Sequence, residues 1–421
     1  MWLIKKNMRS GVRLSYHRMG VLLFCISALQ LAAQTRNACV ECHTGESGTS
    51  KKAVDEWEQS VHGHKGMSCE ICHGGNSRVM DVAKAHGVGF RGQIRREDIP
   101  QLCGSCHADA TRIKQFNPSL RTDQLAQYQT SVHGIKFAAG DAKVAVCTDC
   151  HGVHDIRATS DPRSPVYPLN VATTCSRCHS DAALIKPYRV RTTQFADYSE
   201  SVHHEAMVAR GDLSAPTCST CHGSHGAVPP GVTSVVNVCG TCHVVQMQFF
   251  EQSPHKSEFA DGCTTCHSAH KIKRPDDHFV GLAKGASCAD CHGADEESGK
   301  QAALIHERLA GYAERIARAT ELIEQASRSG MDVSSARGEI SEAAEFLTKA
   351  RVRVHTARVA PVDAELQAGS KIIGRVQREG EDAVRERNAR RKGLFVPLLA
   401  VAVVVFSLGA YIRDLERGNP S

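Results

Sequence analysis

One five-residue pattern recurs from residue 39 to residue 292 and constrains what this chain can fold into. A cysteine is followed by two residues, a second cysteine and then a histidine, and the pattern occurs nine times. These nine copies use eighteen of the nineteen cysteines. The copies are Cys39, Cys42 and His43; Cys69, Cys72 and His73; Cys103, Cys106 and His107; Cys147, Cys150 and His151; Cys175, Cys178 and His179; Cys218, Cys221 and His222; Cys239, Cys242 and His243; Cys263, Cys266 and His267; and Cys288, Cys291 and His292.

The spacing within each copy suits covalent attachment of haem. Two thiols three residues apart can each form a thioether with one of the two vinyl groups of a haem, and the next residue then brings an imidazole to the iron. Structural zinc uses Cys-x-x-Cys pairs but does not need a histidine directly after each second cysteine. A disulfide framework allows an even cysteine count but not such uniform spacing. The motifs therefore predict nine haem c groups.

With these motifs, residues 39–292 resemble the multihaem cytochromes c of the low-potential class, in which two histidines bind each iron. The resemblance implies a mainly α scaffold of short helices and extensive loops around stacked haems. It also implies export before haem attachment and a role in electron transfer.

The composition fits a core built from cofactor. Aromatic residues make up only 5% of the chain, which leaves few large apolar side chains for an ordinary core. We therefore expect this region to fold only with haem. The formal charge of +6 does not indicate nucleic-acid binding, because two propionates on each haem would offset it.

An internal repeat precedes pairs of motifs. In four segments an aromatic residue lies five positions before a histidine, and a serine lies two positions before it. The region then consists of one leading haem and four two-haem repeats. The repeat histidines are candidate second iron ligands, and the aromatic rings are expected to pack against haem. The segments are Trp57, Ser60 and His62; Tyr128, Ser131 and His133; Tyr198, Ser201 and His203; and Phe250, Ser253 and His255.

Three motifs extend to Cys-x-x-Cys-His-x-x-His and supply His154, His225 and His270. Residues three apart project the same way along a helical turn, whereas two axial ligands approach an iron from opposite faces. The added histidine is therefore predicted to bind the iron of a neighbouring haem. The first repeat has Asn76 at this position, and His86 is the predicted substitute.

Nine motif histidines need nine partners, and the sequence readily supplies eight. These are His62, His86, His133, His154, His203, His225, His255 and His270. The ninth is expected to be His278, His306 or His64. If all three fail, one iron is five-coordinate and open to substrate.

The residues after 296 change character and predict a helical hairpin or stalk over 297–392. Apolar residues at helical spacing predict a helix from Gln301 to Ser329. Ser334 or Ser335 can cap a second helix, and Pro361 opens a third that reaches Lys392. We expect this region to pack on the last haem repeat.

Both ends of the chain carry apolar runs. Residues 1–33 have a basic start and a short apolar run, which predicts an export signal cleaved near Ala33 and lost together with Cys25, with an uncleaved anchor as the alternative. Residues 393–412 are long and apolar enough for a transmembrane helix, followed by a cytoplasmic tail over 413–421. The basic residues before this run favour the opposite orientation. Because a large exported domain crosses regardless of such charges, we expect an inner-membrane anchor with the haem domain, residues 34–296, in the periplasm.

These features predict an electron carrier rather than an enzyme. The expected partners are a membrane quinol-oxidising protein, other redox proteins and the lipid bilayer, with periplasmic or extracellular acceptors. The repeat also permits homo-oligomers. One alternative is a reductase of a small nitrogen or sulfur oxyanion with one open haem. Another is an electron reservoir on a structural stalk.

Overall fold

The computed structural model describes residues 37–228 and 232–418, with the side chains of 232–234 left aside. Over these residues the chain is mainly helical and forms no strand, as the sequence predicts. The predicted export signal, including Cys25, lies outside the described residues, as does the end of the predicted tail.

The motif-bearing region consists of short helices joined by loops. Its α-helices are Ala38–Thr44, Thr49–Glu58, Val61–His64, Glu70–His73, Val82–Ala85, Ile99–His107, Ala110–Phe116, Gln124–Thr130, Val132–Ala138, Cys147–His151, Pro168–His179, Ala182–Ile185, Gln194–Ser199, Val202–Ala209, Cys218–His222, Val232–Gly240, Val244–Glu251, His255–Glu258 and Thr264–His267. Short 3₁₀ turns lie at Arg96–Asp98, Lys186–Tyr188, Asp277–Phe279 and Ser287–Asp290.

The first motif of each repeat ends its helix at the motif histidine, and the next residue has positive φ. That residue is Gly74, Gly152 or Gly223 in the first three repeats, with φ between 70° and 86°. In the fourth repeat it is Ser268, with φ of 61°. Glycine adopts this conformation without steric cost, so it ends the helix sharply and redirects the chain.

The repeat serines start the short helices that carry the second histidines. The hydroxyl oxygens of Ser60, Ser131 and Ser201 accept hydrogen bonds from backbone N–H groups three residues later, at 3.0, 2.9 and 3.2 Å. All three serines are buried. Such N-caps satisfy a donor that the first helical turn leaves unpaired. The serine therefore fixes where the helix begins, and thereby where the histidine two residues later lies.

The repeat aromatics fix the chain just before the next motif. The Trp57 Nε1 group donates to the Met67 carbonyl at 2.8 Å, and the Tyr128 and Tyr198 hydroxyls donate to the Ala145 and Pro216 carbonyls, each at 3.0 Å. Each acceptor lies two residues before the first cysteine of a motif. In the fourth repeat Phe250 has no polar atom for this bond. The ring thus positions a motif, a role that the sequence analysis did not foresee.

Backbone hydrogen bonds connect each repeat to the next. The amide N–H groups of Val61, Val132 and Val202 donate to the carbonyls of Ile156, Ala227 and Ile272 at 2.8, 3.0 and 2.9 Å. Each acceptor lies two residues after the second histidine of a Cys-x-x-Cys-His-x-x-His motif. Successive repeats therefore interlock at equivalent positions.

Three long helices follow the motif region. The first bundle helix is Glu297–Arg328, the second is Ser334–Arg353, and the C-terminal helix is Val359–Arg417. A 3₁₀ turn, Val354–Thr356, joins the second to the third. The helices share one apolar core, in which the buried Tyr312 hydroxyl donates to the Ala343 carbonyl at 3.1 Å. Its most deeply buried members include Leu309, Ile323, Ala350, Val362 and Val376.

The C-terminal helix continues through the apolar segment that the sequence assigns to the membrane. Of the described helices, it alone is long and apolar enough to cross a bilayer. Its large apolar side chains from Leu394 to Ile412 are exposed. The predicted third bundle helix and the predicted membrane helix are thus one element, and Pro397 lies in its interior.

The chain divides into two compact units. The first contains Met1–Thr192 and Thr217–Val228, and the second contains Thr193–Pro216 and Pro229–Ser421. The first unit therefore holds the first six motifs. The second unit holds the last three motifs, the bundle and the apolar segment.

Candidate haem-binding sites

Eight of the nine motif histidines each face a second histidine. The two ring centres of each pair are 6.0–6.3 Å apart. The pairs are His43 with His86, His107 with His62, His73 with His154, His179 with His133, His151 with His225, His243 with His203, His292 with His255 and His267 with His355.

This separation fits an iron held between two imidazoles. A metal–nitrogen bond to histidine is about 2.0 Å long, and the ring centre lies about 1.1 Å behind the nitrogen, so two opposed ligands place their ring centres about 6 Å apart. Imidazoles in direct stacking contact would lie closer together. The histidines therefore leave room for the iron and plane of a porphyrin.

The four repeat histidines follow one rule. His62, His133, His203 and His255 each face the histidine of the second motif in their own repeat. Each repeat thus contains both axial candidates for its second haem.

The first motif of a repeat follows a different rule. His154 faces His73, and His225 faces His151, so the added histidine reaches back to the first motif of the preceding repeat. His86, the predicted substitute, faces His43 of the leading motif in the same way. For His270, the third added histidine, the role of second ligand stays a prediction from the repeat.

His355 is the candidate iron ligand that sequence reasoning missed. It lies in the turn after the second bundle helix and faces His267, the first motif histidine of the last repeat. The bundle, rather than a further repeat, follows the last repeat in the sequence and supplies the facing imidazole. The turn is held by Arg353, whose guanidinium lies 4.4 Å from the centre of the Phe249 ring and 2.9 Å from a Glu365 carboxylate oxygen.

None of the three histidines proposed as the ninth partner faces a motif histidine in the described part of the chain. His278 and His306 face each other at 5.8 Å rather than a motif histidine. His64 is exposed at the end of the helix Val61–His64.

Hydrogen bonds orient several of the candidate rings. Nδ1 lies 2.8 Å from the Gly92 carbonyl in His73, 3.2 Å from the Val228 carbonyl in His222 and 2.9 Å from the Val352 carbonyl in His355. A carbonyl can only accept, so Nδ1 carries the proton and Nε2 keeps its lone pair. This arrangement is the usual way to hold a metal-binding imidazole.

Burial also keeps many of these imidazoles in the form that binds metal. It lowers the pKa of His151 to about 4, with a further contribution from His225. Burial likewise lowers the pKa values of His62, His133 and His355. A neutral imidazole is the ligand form, because protonation removes the lone pair.

The two cysteine positions of the motif differ in exposure. Every first cysteine is partly buried. Attachment through each individual thiol stays a prediction from the motifs. Of the second cysteines, four are partly buried, namely Cys42, Cys106, Cys150 and Cys178, and five are exposed, namely Cys72, Cys221, Cys242, Cys266 and Cys291.

Successive motifs lie next to one another, alternately through their first and second cysteines. The first-cysteine thiols of successive motifs lie close together in pairs, which are Cys39 with Cys69, Cys103 with Cys147, Cys175 with Cys218 and Cys239 with Cys263. Second-cysteine thiols also lie near one another in pairs, which are Cys72 with Cys106, Cys150 with Cys178 and Cys266 with Cys291. The neighbouring Cys175 thiol lowers the pKa of Cys218. Within each unit the motifs therefore follow one another in chain order.

Comparison with known proteins points to one class. The model of the family "Cytochrome c554 and c-prime" matches residues 26–74. The chain is 28% identical over 166 residues to the C-type polyheme cytochrome OmcC of Geobacter sulfurreducens, a match that covers 34% of this chain and 20% of the relative. It is 23% identical over 244 residues to the C-type polyheme cytochrome OmcB of the same species, covering 56% of this chain and 25% of the relative.

The chain thus spans a quarter or less of the length of these curated relatives. No solved structure matches the chain. The family match, the polyhaem relatives and the motifs together support a multihaem c-type cytochrome with covalently bound haem c.

Proposed function

We propose that this chain is a nine-haem, bis-histidine cytochrome c that relays electrons. The observation that carries the proposal is that eight motif histidines each face a second imidazole across a gap of one metal ion. The repeat predicts the same arrangement for the ninth. Haem c supplies reversible one-electron oxidation and reduction when bound.

The residues of the chain determine what this site can do. Each pair of thiols would hold one haem, and each pair of facing imidazoles would bind its iron. A small substrate would then find no free position on that iron. This ligand set favours conduction over catalysis at iron.

The order of the motifs supports a relay. Within each unit the thiols of successive motifs lie next to one another in chain order, and His154 and His225 each face a motif histidine of the preceding repeat. Because backbone of one repeat holds a ligand of another, the proposed haem positions are fixed relative to one another inside a unit. Electrons can then pass between successive positions without a large movement of the chain.

We further propose that the C-terminal helix anchors the protein in the inner membrane with the haem region in the periplasm. From Val359 to Gly393 this helix rises about 51 Å at about 1.5 Å per residue. His355 lies just before its start, so the site of His267 and His355 would stand far from the bilayer along the helix. Such a distance speaks against direct electron transfer from a membrane quinol to that site. A quinol-oxidising membrane protein is therefore the proposed donor, and soluble or extracellular acceptors receive the electrons.

The reductase alternative requires one iron without a second histidine. His355, a histidine outside the predicted set, faces His267 of the last repeat. This additional candidate ligand weakens the alternative.

Two measurements test the proposal. Intact mass spectrometry of the purified full-length protein should show nine covalently bound haems. The same protein should not oxidise a quinol alone and should become reduced when membranes containing its donor are added. Rapid quinol oxidation by the pure protein would remove the need for a partner. Consumption of nitrite, hydroxylamine or a sulfur oxyanion would favour the reductase.

A further inference from the structure

We propose that His278 and His306 form a tenth iron–porphyrin site, in which haem is held without thioether bonds. This goes beyond the nine motif sites and rests on the proposed function only in treating facing imidazoles as axial ligands. The two ring centres lie 5.8 Å apart with the rings inclined at 39°. The pair of His203 and His243 has the same inclination, at 6.3 Å.

His306 is oriented like the candidate ligands of the motif sites. Its Nδ1 lies 2.7 Å from the Asp277 carbonyl oxygen, which directs Nε2 away from the backbone and leaves its lone pair free. His73 and His355 have the same arrangement with the Gly92 and Val352 carbonyls.

The loop that carries His278 is held firmly on the bundle. The Asp276 carboxylate accepts a hydrogen bond from the His278 backbone N–H at 2.9 Å. The Asp277 carboxylate accepts two hydrogen bonds from Arg351, each 2.8 Å long. Val280 is buried in the core of the bundle. The backbone that carries His278 is therefore fixed against the bundle, and the His306 ring is fixed by its bond to Asp277.

The chemistry of the pair favours a porphyrin over a bare metal ion. Among the described residues, no group of three or more histidine, cysteine, aspartate or glutamate side chains could hold a metal ion. Two imidazoles alone leave a zinc or copper ion short of protein ligands. A haem iron brings four ring nitrogens and needs only two axial ligands, and two facing imidazoles supply both.

Attachment at this pair would be non-covalent. Every cysteine in the described part of the chain belongs to one of the nine motifs, each with its own histidine. No thiol pair remains for a tenth haem. His278 is exposed and His306 is partly buried, so the site opens to solvent and can load after the covalent haems are in place.

The test counts haem by the way it is bound. The purified full-length protein is assayed for iron per chain, for haem extracted by acidified acetone and for covalent haem by intact mass. Nine covalent haems and one extractable haem are expected. H278A and H306A should each lose the extractable haem and keep the covalent nine. H64A, which replaces an exposed histidine, should keep all ten.

If the protein purifies with nine haems, a titration with ferric haem tests whether the tenth site can still be filled. Added ferric haem should then bind in one equivalent to the wild type and to H64A, with a low-spin spectrum, and should not bind to H278A. The inference is overturned if no haem is extractable and none is taken up, or if H278A takes up haem as well as the wild type does. A covalent haem count other than nine would contradict the proposed function instead. The proposal for His278 and His306 would then be decided by the amount of extractable haem.

Discussion

Replacing His355 with alanine tests the least expected feature of the site. His355 faces His267 with ring centres 6.0 Å apart, and it is the one candidate second ligand for a motif iron that the described bundle contributes. Its loss should leave His267 as the single protein ligand of the iron in the haem that Cys263 and Cys266 would attach. Such an iron becomes high-spin or binds water. Because one of nine motif sites is affected, about one ninth of the covalent haem iron should change its spin state.

The assay is electron paramagnetic resonance of the oxidised full-length variant, loaded with haem. The structure also predicts a rescue, because the variant leaves a cavity the size of an imidazole beside the iron. Added imidazole should restore the low-spin signal. The H64A variant serves as the control, since His64 is exposed and should leave every spin state unchanged. A fully low-spin spectrum for H355A would refute the pairing of His267 with His355.

Three further predictions concern the scaffold. S131A removes a buried N-cap whose hydroxyl accepts a hydrogen bond from the Gly134 N–H at 2.9 Å. In chemical denaturation it should lower the free energy of unfolding by about 1–2 kcal/mol, whereas S199A, whose hydroxyl is exposed, should change it by less than about 0.5 kcal/mol. Equal losses in the two variants would contradict the capping role. G369A places a Cβ against the Tyr312 hydroxyl in the bundle core and should lower the free energy of unfolding by about 1–3 kcal/mol. In G374A the nearest neighbour of the new Cβ is the Arg378 side chain at 3.6 Å, so this variant should be neutral or stabilising by up to about 1 kcal/mol. Thermal unfolding compares the two variants, and the reverse order of stability would refute the packing. Truncation after residue 392 should move the protein from the membrane fraction to the soluble fraction without changing its covalent haem count, and continued membrane association would exclude residues 393–421 as the anchor.

The sequence predicted the features that depend on short local motifs. The nine Cys-x-x-Cys-His copies, the repeat serines and the added histidines lie at fixed spacings, because covalent attachment and helix capping both act over a few residues. The predicted helix boundaries in the bundle lie close to the observed ones, since apolar residues recur at helical spacing over many turns. The predicted start at Gln301 lies four residues inside the observed helix Glu297–Arg328.

The sequence could not reveal contacts that depend on the folding of distant segments. His355 belongs to no motif and lies far along the chain from His267, so only the three-dimensional path of the bundle brings them together. One signal was available from counting histidines. The motif region readily supplied eight partners for nine motif histidines, and His355 is the only histidine after His306. The role of the repeat aromatics was hidden for a similar reason, because their partners are backbone carbonyls that carry no side-chain signature.

The central claim is that every motif iron has two histidine ligands. Electron paramagnetic resonance of the oxidised, fully haem-loaded wild-type protein tests this most directly. We predict low-spin ferric signals alone from the covalent haems. A high-spin signal from about one ninth of the iron in the wild-type protein would show an open coordination site, and it would contradict the account in favour of a reductase.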